Sequence, residues 1–248
     1  MDRAWLRPAY GIAFVCGLSF VLLTGAFSRG WTDPIDRAVL NGLRGNSKVL
    51  SADAPLWLIE IMRDITSLAG VGLVILIGLM VLIYLGLRRK WRAMIVAIVL
   101  MAGNQISVSL IKSFISRPRP DLVEHGAVVA THSFPSGHSA TAAAIALLLA
   151  WTGARLHEVR SIKIFCWVLG VGAALLIGFS RMYLGVHWFS DVVAGLMLGS
   201  CWAFLCIGLG ESLQCCGQPI DRALARPVET GTTTDRLSPA NPQSAASA

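Results

Sequence analysis

The sequence has 248 residues, of which 55% are hydrophobic and only 14% are charged, and its mean hydropathy is +0.65. These values exclude an ordinary soluble domain, whose surface needs more charge. The formal net charge is +7, but the basic residues lie between hydrophobic runs rather than in one block, so the charge does not indicate nucleic-acid binding. The composition therefore predicts an integral membrane protein.

Six apolar runs have roughly the 20 residues that a membrane-spanning helix needs. They cover residues 9–28, 68–87, 93–111, 138–152 with its flanks, 162–180 and 188–209. The first run is longer than the apolar part of a signal peptide, and no small-residue cleavage site precedes Trp31, so we expect the protein to retain it. The sequence thus predicts an all-α fold, a six-transmembrane-helix bundle that forms a single domain over residues 1–216.

The connection at residues 31–67 has apolar residues at helical spacing with charged residues between them. Within it, Asp33-Pro34 and Ala54-Pro55 are typical helix starts. We therefore expect short amphipathic interfacial helices here, which lie on the membrane surface.

The basic residues between the runs predict the orientation of the chain. Those at one set of helix ends are Arg3, Arg7, Arg88, Arg89, Lys90, Arg92, Arg155, Arg160, Lys163, Arg222 and Arg226. By the positive-inside rule this face is cytoplasmic, so both termini lie inside and the connections 29–67, 112–137 and 181–187 lie outside. We expect a multi-pass protein of the cell inner membrane. After Gly217 the chain is rich in Pro, Ser, Thr and Ala, which predicts a disordered cytoplasmic tail at 217–248.

Three groups of polar residues lie at the outer ends of the predicted helices, where the topology brings them to one membrane face. They are Lys112 with Arg119 and Pro120; Pro135-Ser136-Gly137-His138; and Ser180-Arg181 with His187 and Asp191. Polar and charged residues within membrane segments are costly and are usually functional. Taken singly, each group has a structural explanation, but together they predict a functional site.

The third group has the chemistry of a nucleophile. His187 and Asp191 are four residues apart and share one face of a helix. Asp191 can accept a hydrogen bond from one imidazole nitrogen, which leaves the other nitrogen unprotonated. A turn that contains Gly185 would bring Arg181 close to the same imidazole. Its guanidinium can bind an anion through two parallel hydrogen bonds. This group therefore predicts a nucleophilic histidine beside an anion site.

The other two groups complete a phosphate site. Ser136 can cap the helix that begins here, and Gly137 lets a ligand approach the free backbone amides, which bind anions. His138 lies in the first turn, where it can protonate a leaving oxygen. With the cations Lys112 and Arg119, this set matches the equatorial oxygens of a phosphate during in-line transfer. Since no Cys, His, Asp and Glu set resembles a metal cage, we predict metal-independent phosphoryl transfer without a cofactor.

These groups resemble the three-part signature of the type 2 phosphatidic acid phosphatase family, which is related to the vanadium haloperoxidases and bacterial acid phosphatases. In this sequence the signature consists of Lys112 followed after six residues by Arg119-Pro120, then Pro135-Ser136-Gly137-His138, then Ser180-Arg181 followed after five residues by His187 and after three more by Asp191. All three parts are complete and in order. The resemblance covers about residues 112–191, and the six-helix layout extends it over most of the chain.

The resemblance implies a helical membrane phosphatase in which His187 attacks phosphorus to form a phosphohistidine. Asp191 would orient His187, and His138 would protonate the leaving group and then activate water. The residues that hold the phosphate would be Lys112, Arg119, Ser136, Gly137 and Arg181. Members of this family act on phosphatidate, phosphatidylglycerol phosphate, prenyl diphosphates, sphingoid phosphates and lipid A phosphates. Of these we favour undecaprenyl diphosphate, phosphatidylglycerol phosphate or phosphatidate as the substrate.

Two other functions use the same positive charges. A phosphotransferase that passes phosphate between lipids needs the same residues, whereas a non-enzymatic anion or lipid transporter needs the cations but not an oriented histidine. Arg117 and His132 fall outside the signature. We interpret Arg117 as a side chain that extends to the lipid headgroups, and His132 as a loop residue.

Overall fold

A computed structural model of the protein describes residues 6–44, 55–120 and 132–224. These residues form helices and their connections, and they contain no strand. The helices of the described segments are α1 (Leu6–Ser28), α2 (Asp33–Arg44), α3 (Leu56–Ser67), α4 (Val71–Leu87), α5 (Trp91–Phe114), α6 (Gly137–Leu156), α7 (Arg160–Tyr183) and α8 (Phe189–Leu224).

Six stretches in the described segments are long and apolar enough to cross a membrane. They are Leu6–Ser28, Leu56–Leu87, Trp91–Phe114, Gly137–Leu156, Arg160–Tyr183 and Phe189–Leu213. Each contains or overlaps one of the apolar runs of the sequence, so the predicted six-helix bundle is confirmed. The helices extend beyond the runs because polar residues continue the helical backbone at their ends. In α5 this extension puts Lys112 on the last turn.

Two short amphipathic helices follow the first span, as the sequence predicted, and the second of them, α3, forms the beginning of the stretch Leu56–Leu87. α2 begins at Asp33, and the carboxylates of Asp33 and Asp36 in its first turn suit the positive end of the helix dipole. α3 begins after Pro55, which fixes the backbone conformation at its N-cap. Its residues Ile59 and Met62 pack against the turn that follows α7. Both helices therefore lie over the ends of the spanning helices.

Close packing of α6 against α8 determines the position of the site. A Cβ atom added at Gly195 would collide with the backbone oxygen of Ser136, and one added at Gly199 would collide with that of Ala140. With glycine at both positions, the first turns of the two helices come together, and the Ser136 N–H donates to the carbonyl of Asp191 at 3.0 Å. The ends of α5 and α7 meet the starts of α6 and α8 at this end of the bundle, which we term the site end.

α8 continues to Leu224, past the domain boundary expected at residue 216, so residues 217–224 are helical. The division into a membrane domain and a tail stays a prediction. A helix that has already formed can extend by one hydrogen bond per added residue, and this continues it past the apolar run. The rest of the expected tail, residues 225–248, lies outside the described residues.

Candidate active site

A cavity of about 610 Å³ opens at the site end between α4, α5, α6 and α7. Six of the eight site residues expected from the sequence line it, namely Lys112, Arg119, Gly137, His138, Arg181 and His187. The three sequence groups therefore meet around one hollow. The other two residues, Ser136 and Asp191, lie behind its wall.

His187 and Asp191 form the centre of the site. The imidazole is 2% exposed and the carboxylate is fully buried. Nδ1 of His187 lies 3.5 Å from Oδ2 of Asp191. The same oxygen accepts hydrogen bonds from the Trp188 N–H at 3.0 Å and from the hydroxyl of Ser133. The carboxylate is thus held on several sides, and it fixes the imidazole beside it.

Arg119 determines which nitrogen of His187 carries the proton. Its Nη1 lies 3.4 Å from Nε2 of His187 and also donates to the carbonyl of Val186 at 2.7 Å. A guanidinium can only donate, so Nε2 must be the acceptor and carry a lone pair rather than a proton. The proton then resides on Nδ1, beside Asp191. The geometry therefore gives an unprotonated Nε2 on the imidazole that lines the cavity.

The protonation of His187 agrees with this tautomer. Burial lowers the pKa of His187 to about 4, although the neighbouring Asp191 acts to raise it. At neutral pH the imidazole is uncharged and its Nε2 is available to an electrophile. Burial also lowers the pKa of Arg119, against the effect of Asp191, but an arginine stays charged in proteins.

Arg181 and Lys112 provide further positive charge. Nη1 of Arg181 donates to the hydroxyl of Thr66 on α3 at 3.2 Å. Nε of Arg181 is buried and has no hydrogen-bond partner within the described part of the chain. A buried donor without an acceptor is costly, and the oxygen of a bound anion would satisfy it. Lys112 donates to the carbonyl of His132, which holds the ammonium at the cavity wall.

The start of α6 contributes two residues to the cavity wall and the N-cap residue behind that wall. Gly137 and His138 line the cavity, where the N-terminus of the helix favours an anion. Ser136 is the N-cap, as the sequence predicted, and its hydroxyl oxygen accepts hydrogen bonds from the Ser139 hydroxyl at 2.9 Å and the Ser139 N–H at 3.4 Å. Because its own N–H donates to Asp191, Ser136 holds the loop and the helix together rather than lining the cavity.

The interpretation of Arg117 as a headgroup-level side chain is wrong. Arg117 is only 6% exposed, and it donates to Asp191 Oδ1 at 2.5 Å, Ser190 Oγ at 2.7 Å and Asp36 Oδ2 at 2.7 Å. Its guanidinium also stacks over the ring of Phe27, 4.4 Å from the centroid. Arg117 thus links α2 to the carboxylate behind His187. The requirement that a buried carboxylate have a positive partner could have indicated this residue.

The described residues contain no group of three or more His, Cys, Asp or Glu side chains that could hold a metal ion. Metal independence stays a prediction.

Comparison with known proteins finds one matching family and several similar proteins. The sequence model of the PAP2 superfamily matches residues 92–213, a segment that contains all eight site residues. The chain is 30% identical over 205 residues to phosphatidylglycerophosphatase B of Bacillus subtilis, which covers 79% of this chain and 94% of that protein. It is 42% identical over 76 residues to an undecaprenyl-diphosphatase of Sulfolobus acidocaldarius, which covers 31% of this chain and 32% of that one.

A solved structure is also similar to this fold. It is the crystal structure of a transmembrane PAP2 type phosphatidylglycerolphosphate phosphatase from Bacillus subtilis, with a TM-score of 0.70 and 27% sequence identity. The alignment covers 81% of this chain and 96% of that chain.

Proposed function

This chain belongs to the PAP2 superfamily, and from that membership we propose that it is an integral membrane phosphatase that hydrolyses a lipid phosphomonoester or diphosphate. The observation that carries the proposal is the 3.4 Å contact between Nε2 of His187 and the guanidinium of Arg119, in a cavity with two further cations. A nucleophile beside an anion-binding group is the requirement for attack on phosphorus. The candidate lipids are phosphatidate, phosphatidylglycerol phosphate and undecaprenyl diphosphate.

In the first step Nε2 of His187 attacks phosphorus. An N–P bond forms while the bond from phosphorus to the leaving oxygen breaks. His138 gives its proton to that oxygen, so the dephosphorylated lipid leaves as an alcohol or, from a diphosphate, as the monophosphate. Asp191 accepts the Nδ1–H hydrogen bond and stabilises the positive charge that grows on the imidazole.

In the second step water attacks the phosphohistidine. His138, now neutral, takes a proton from the water, and the N–P bond breaks with its electron pair returning to Nε2. Inorganic phosphate leaves, and both histidines regain their starting states. No metal or other cofactor is required in this scheme.

Positive charge around the cavity would stabilise the phosphate through both steps. The orphaned Nε–H of Arg181 and the guanidinium of Arg119 supply directed donors, and Lys112 adds a third cation. These charges act on the equatorial oxygens, where negative charge is concentrated in the transition state. The backbone at Gly137 adds the N-terminus of α6.

The shape of the cavity supports a lipid as the substrate. Beyond the charged residues most of its wall is apolar, and α4 and α5 contribute Val71, Val74, Ile75, Leu100 and Val108. Val71 and Ile75 are themselves 66% and 60% exposed on the outside of the bundle. An apolar wall that extends to the membrane-facing surface suits a hydrocarbon chain.

We place the site on the extracytoplasmic side of an inner membrane, because the basic residues at the opposite helix ends favour a cytoplasmic location.

The test is phosphate release by the purified protein in detergent from phosphatidate, phosphatidylglycerol phosphate and undecaprenyl diphosphate, with the His187→Ala variant alongside. We expect release by the wild-type protein and a loss of about 10⁴-fold or more in the variant, as for the removal of a covalent nucleophile. Transfer of phosphate to a second lipid without release would indicate a phosphotransferase. Equal activity in both proteins would contradict the nucleophile.

A further inference from the structure

A polar pair on the membrane side of the phosphate site has no part in the mechanism above. Asn104 on α5 is 3% exposed and lines the cavity, and its Nδ2 donates to the hydroxyl of Thr141 on α6 at 3.4 Å. Within the segments that the structure describes, Oδ1 of Asn104 has no hydrogen-bond partner. A buried amide with one unpaired end, in the mostly apolar part of the cavity wall, calls for a ligand group.

The position of the pair relates it to the leaving group. Thr141 comes three residues after His138 on α6, which is roughly 4.5 Å along the helix axis. Asn104 comes eight residues before Lys112 on α5, which is roughly 12 Å along the axis. Because Asn104 contacts Thr141, both residues lie about one turn of α6 deeper than His138, which would protonate the leaving oxygen. A ligand group at this level is a few covalent bonds beyond that oxygen.

The side chains of Asn104 and Thr141 suit a ligand group that is an uncharged hydrogen-bond acceptor. The Asn104 amide can turn by 180°, so that the Thr141 hydroxyl donates to Oδ1 and both N–H bonds of Nδ2 face the ligand. Two carbonyl oxygens would then satisfy every polar group of the pair. The second phosphate of a diphosphate is charged and is better served by cations, whereas a plain hydrocarbon chain leaves the amide unpaired.

We propose that Asn104 and Thr141 bind the ester carbonyls of a diacylglycerol phosphate and make the enzyme selective for glycerophospholipids over prenyl and alkyl phosphates. The inference rests on the proposed function, because it assigns the substrate class of the same site. In a diacylglycerol phosphate one ester group is on the carbon next to the one that bears the phosphate, and the other is one carbon further along, which is the level of the pair.

The experiment compares three substrates in detergent micelles: dipalmitoyl phosphatidate, its dialkyl ether analogue without carbonyl oxygens, and hexadecyl phosphate. For the wild-type protein we expect kcat/KM about tenfold higher for the ester than for the ether, the effect of leaving a buried amide unpaired. The variants Asn104→Leu and Thr141→Val should reduce this ratio, to about one in Asn104→Leu. Hexadecyl phosphate has no carbonyl oxygen, so its kcat/KM should fall less in both variants than that of the ester.

The readout does not depend on how much of each variant folds, because both substrates are measured on one preparation and their ratio is compared. Thr152→Val is the matched control, since Thr152 lies on the same helix, is exposed, and donates only to the Leu148 carbonyl at 2.8 Å. It should keep the wild-type ratio. A wild-type ratio near one, or a ratio unchanged in Asn104→Leu, would overturn the inference alone. No release from these three lipids, together with release from undecaprenyl diphosphate, would overturn the inference alone. No release from these lipids, from phosphatidylglycerol phosphate or from undecaprenyl diphosphate would overturn the proposed function, and this inference with it.

Discussion

Arg117 and Asp191 form a buried ion pair in which Nη1 of the guanidinium donates to Oδ1 of the carboxylate at 2.5 Å. Nη2 of Arg117 donates to Asp36, which also accepts a hydrogen bond from the backbone N–H of Ser190 at 2.8 Å. The carboxylate that supports His187 is therefore tied to the amphipathic helix α2. A short helix that lies across the ends of the bundle thus helps to position the nucleophile.

Arg117 should affect catalysis although it does not line the cavity. In Arg117→Lys the charge remains but a single ammonium replaces the two-pronged contact to Asp36 and Asp191, so we expect kcat to fall about tenfold or more with little change in KM. Arg117→Ala leaves two carboxylates without their partner and should lower the free energy of unfolding by about 3–5 kcal/mol.

Steady-state kinetics and thermal unfolding in detergent measure the two effects of Arg117. Arg37→Ala is the control, because Arg37 is exposed on the same helix as Asp36. Wild-type kcat and stability in both Arg117 variants would show that the link between α2 and the site has no role.

Asp191→Asn tests the orientation of the histidine. An amide can donate as well as accept, so it no longer requires the proton of His187 to reside on Nδ1, and Nε2 loses its free lone pair in the other tautomer. We expect kcat to fall by about 10³- to 10⁴-fold. The helical circular dichroism spectrum and elution volume should be unchanged, and an unchanged rate would refute the role of the carboxylate.

The titration of His187 gives a prediction for pH dependence. Its folded-state pKa is lowered to about 4, so the imidazole is neutral above that pH and becomes protonated, and non-nucleophilic, as the pH falls through about 4. An unfolded chain binds this proton at the ordinary value near 6.5. The free energy of unfolding should therefore decrease as the pH falls from about 6.5 to about 4.

Nuclear magnetic resonance of protein labelled at its histidines would follow this titration, with the His187→Ala spectrum assigning the signal. The signal should remain that of a neutral ring at pH 5. A midpoint near the ordinary value would contradict the burial of this imidazole.

Removal of metal ions should leave activity intact. Three cations and the N-terminus of α6 surround the cavity, so the site has its own means of neutralising phosphate charge. We expect phosphate release in EDTA to stay within about twofold of the untreated rate, as for a reaction stabilised by fixed protein charges. Loss of activity in EDTA, with recovery on addition of Mg²⁺, would contradict the mechanism.

Much of the fold could be predicted from the sequence because its signals are local. The length of an apolar run determines whether it spans a membrane, and Pro34 and Pro55 mark the starts of α2 and α3. The sequence also predicted that Lys112, His138 and His187 lie at the same end of the bundle, because alternating spans bring every second connection to the same side of the membrane.

The contacts that could not be predicted join residues far apart in the sequence. Arg117 and Asp36 are 81 residues apart, and neither carries a local signal that identifies the other. The hydrogen bond of the Ser136 N–H could not be predicted for the same reason, because its acceptor is the carbonyl of Asp191 on α8. Asn104 resembles any isolated polar residue in an apolar helix until Thr141 and the cavity are placed beside it.

The glycine contacts between α6 and α8 pack these two helices more closely than the wall made by α4 is packed. Where two backbones touch directly, no side chain lies between them to rearrange, so we expect His138 and Asp191 to keep their spacing when a substrate binds. α4 is mostly exposed on the outside of the bundle, with Gly78 as its buried residue, whereas α8 is buried along much of its length. Entry of a bulky lipid can then be accommodated by the outer wall alone, and changes to substrate range can evolve in α4 without disturbing the reacting groups.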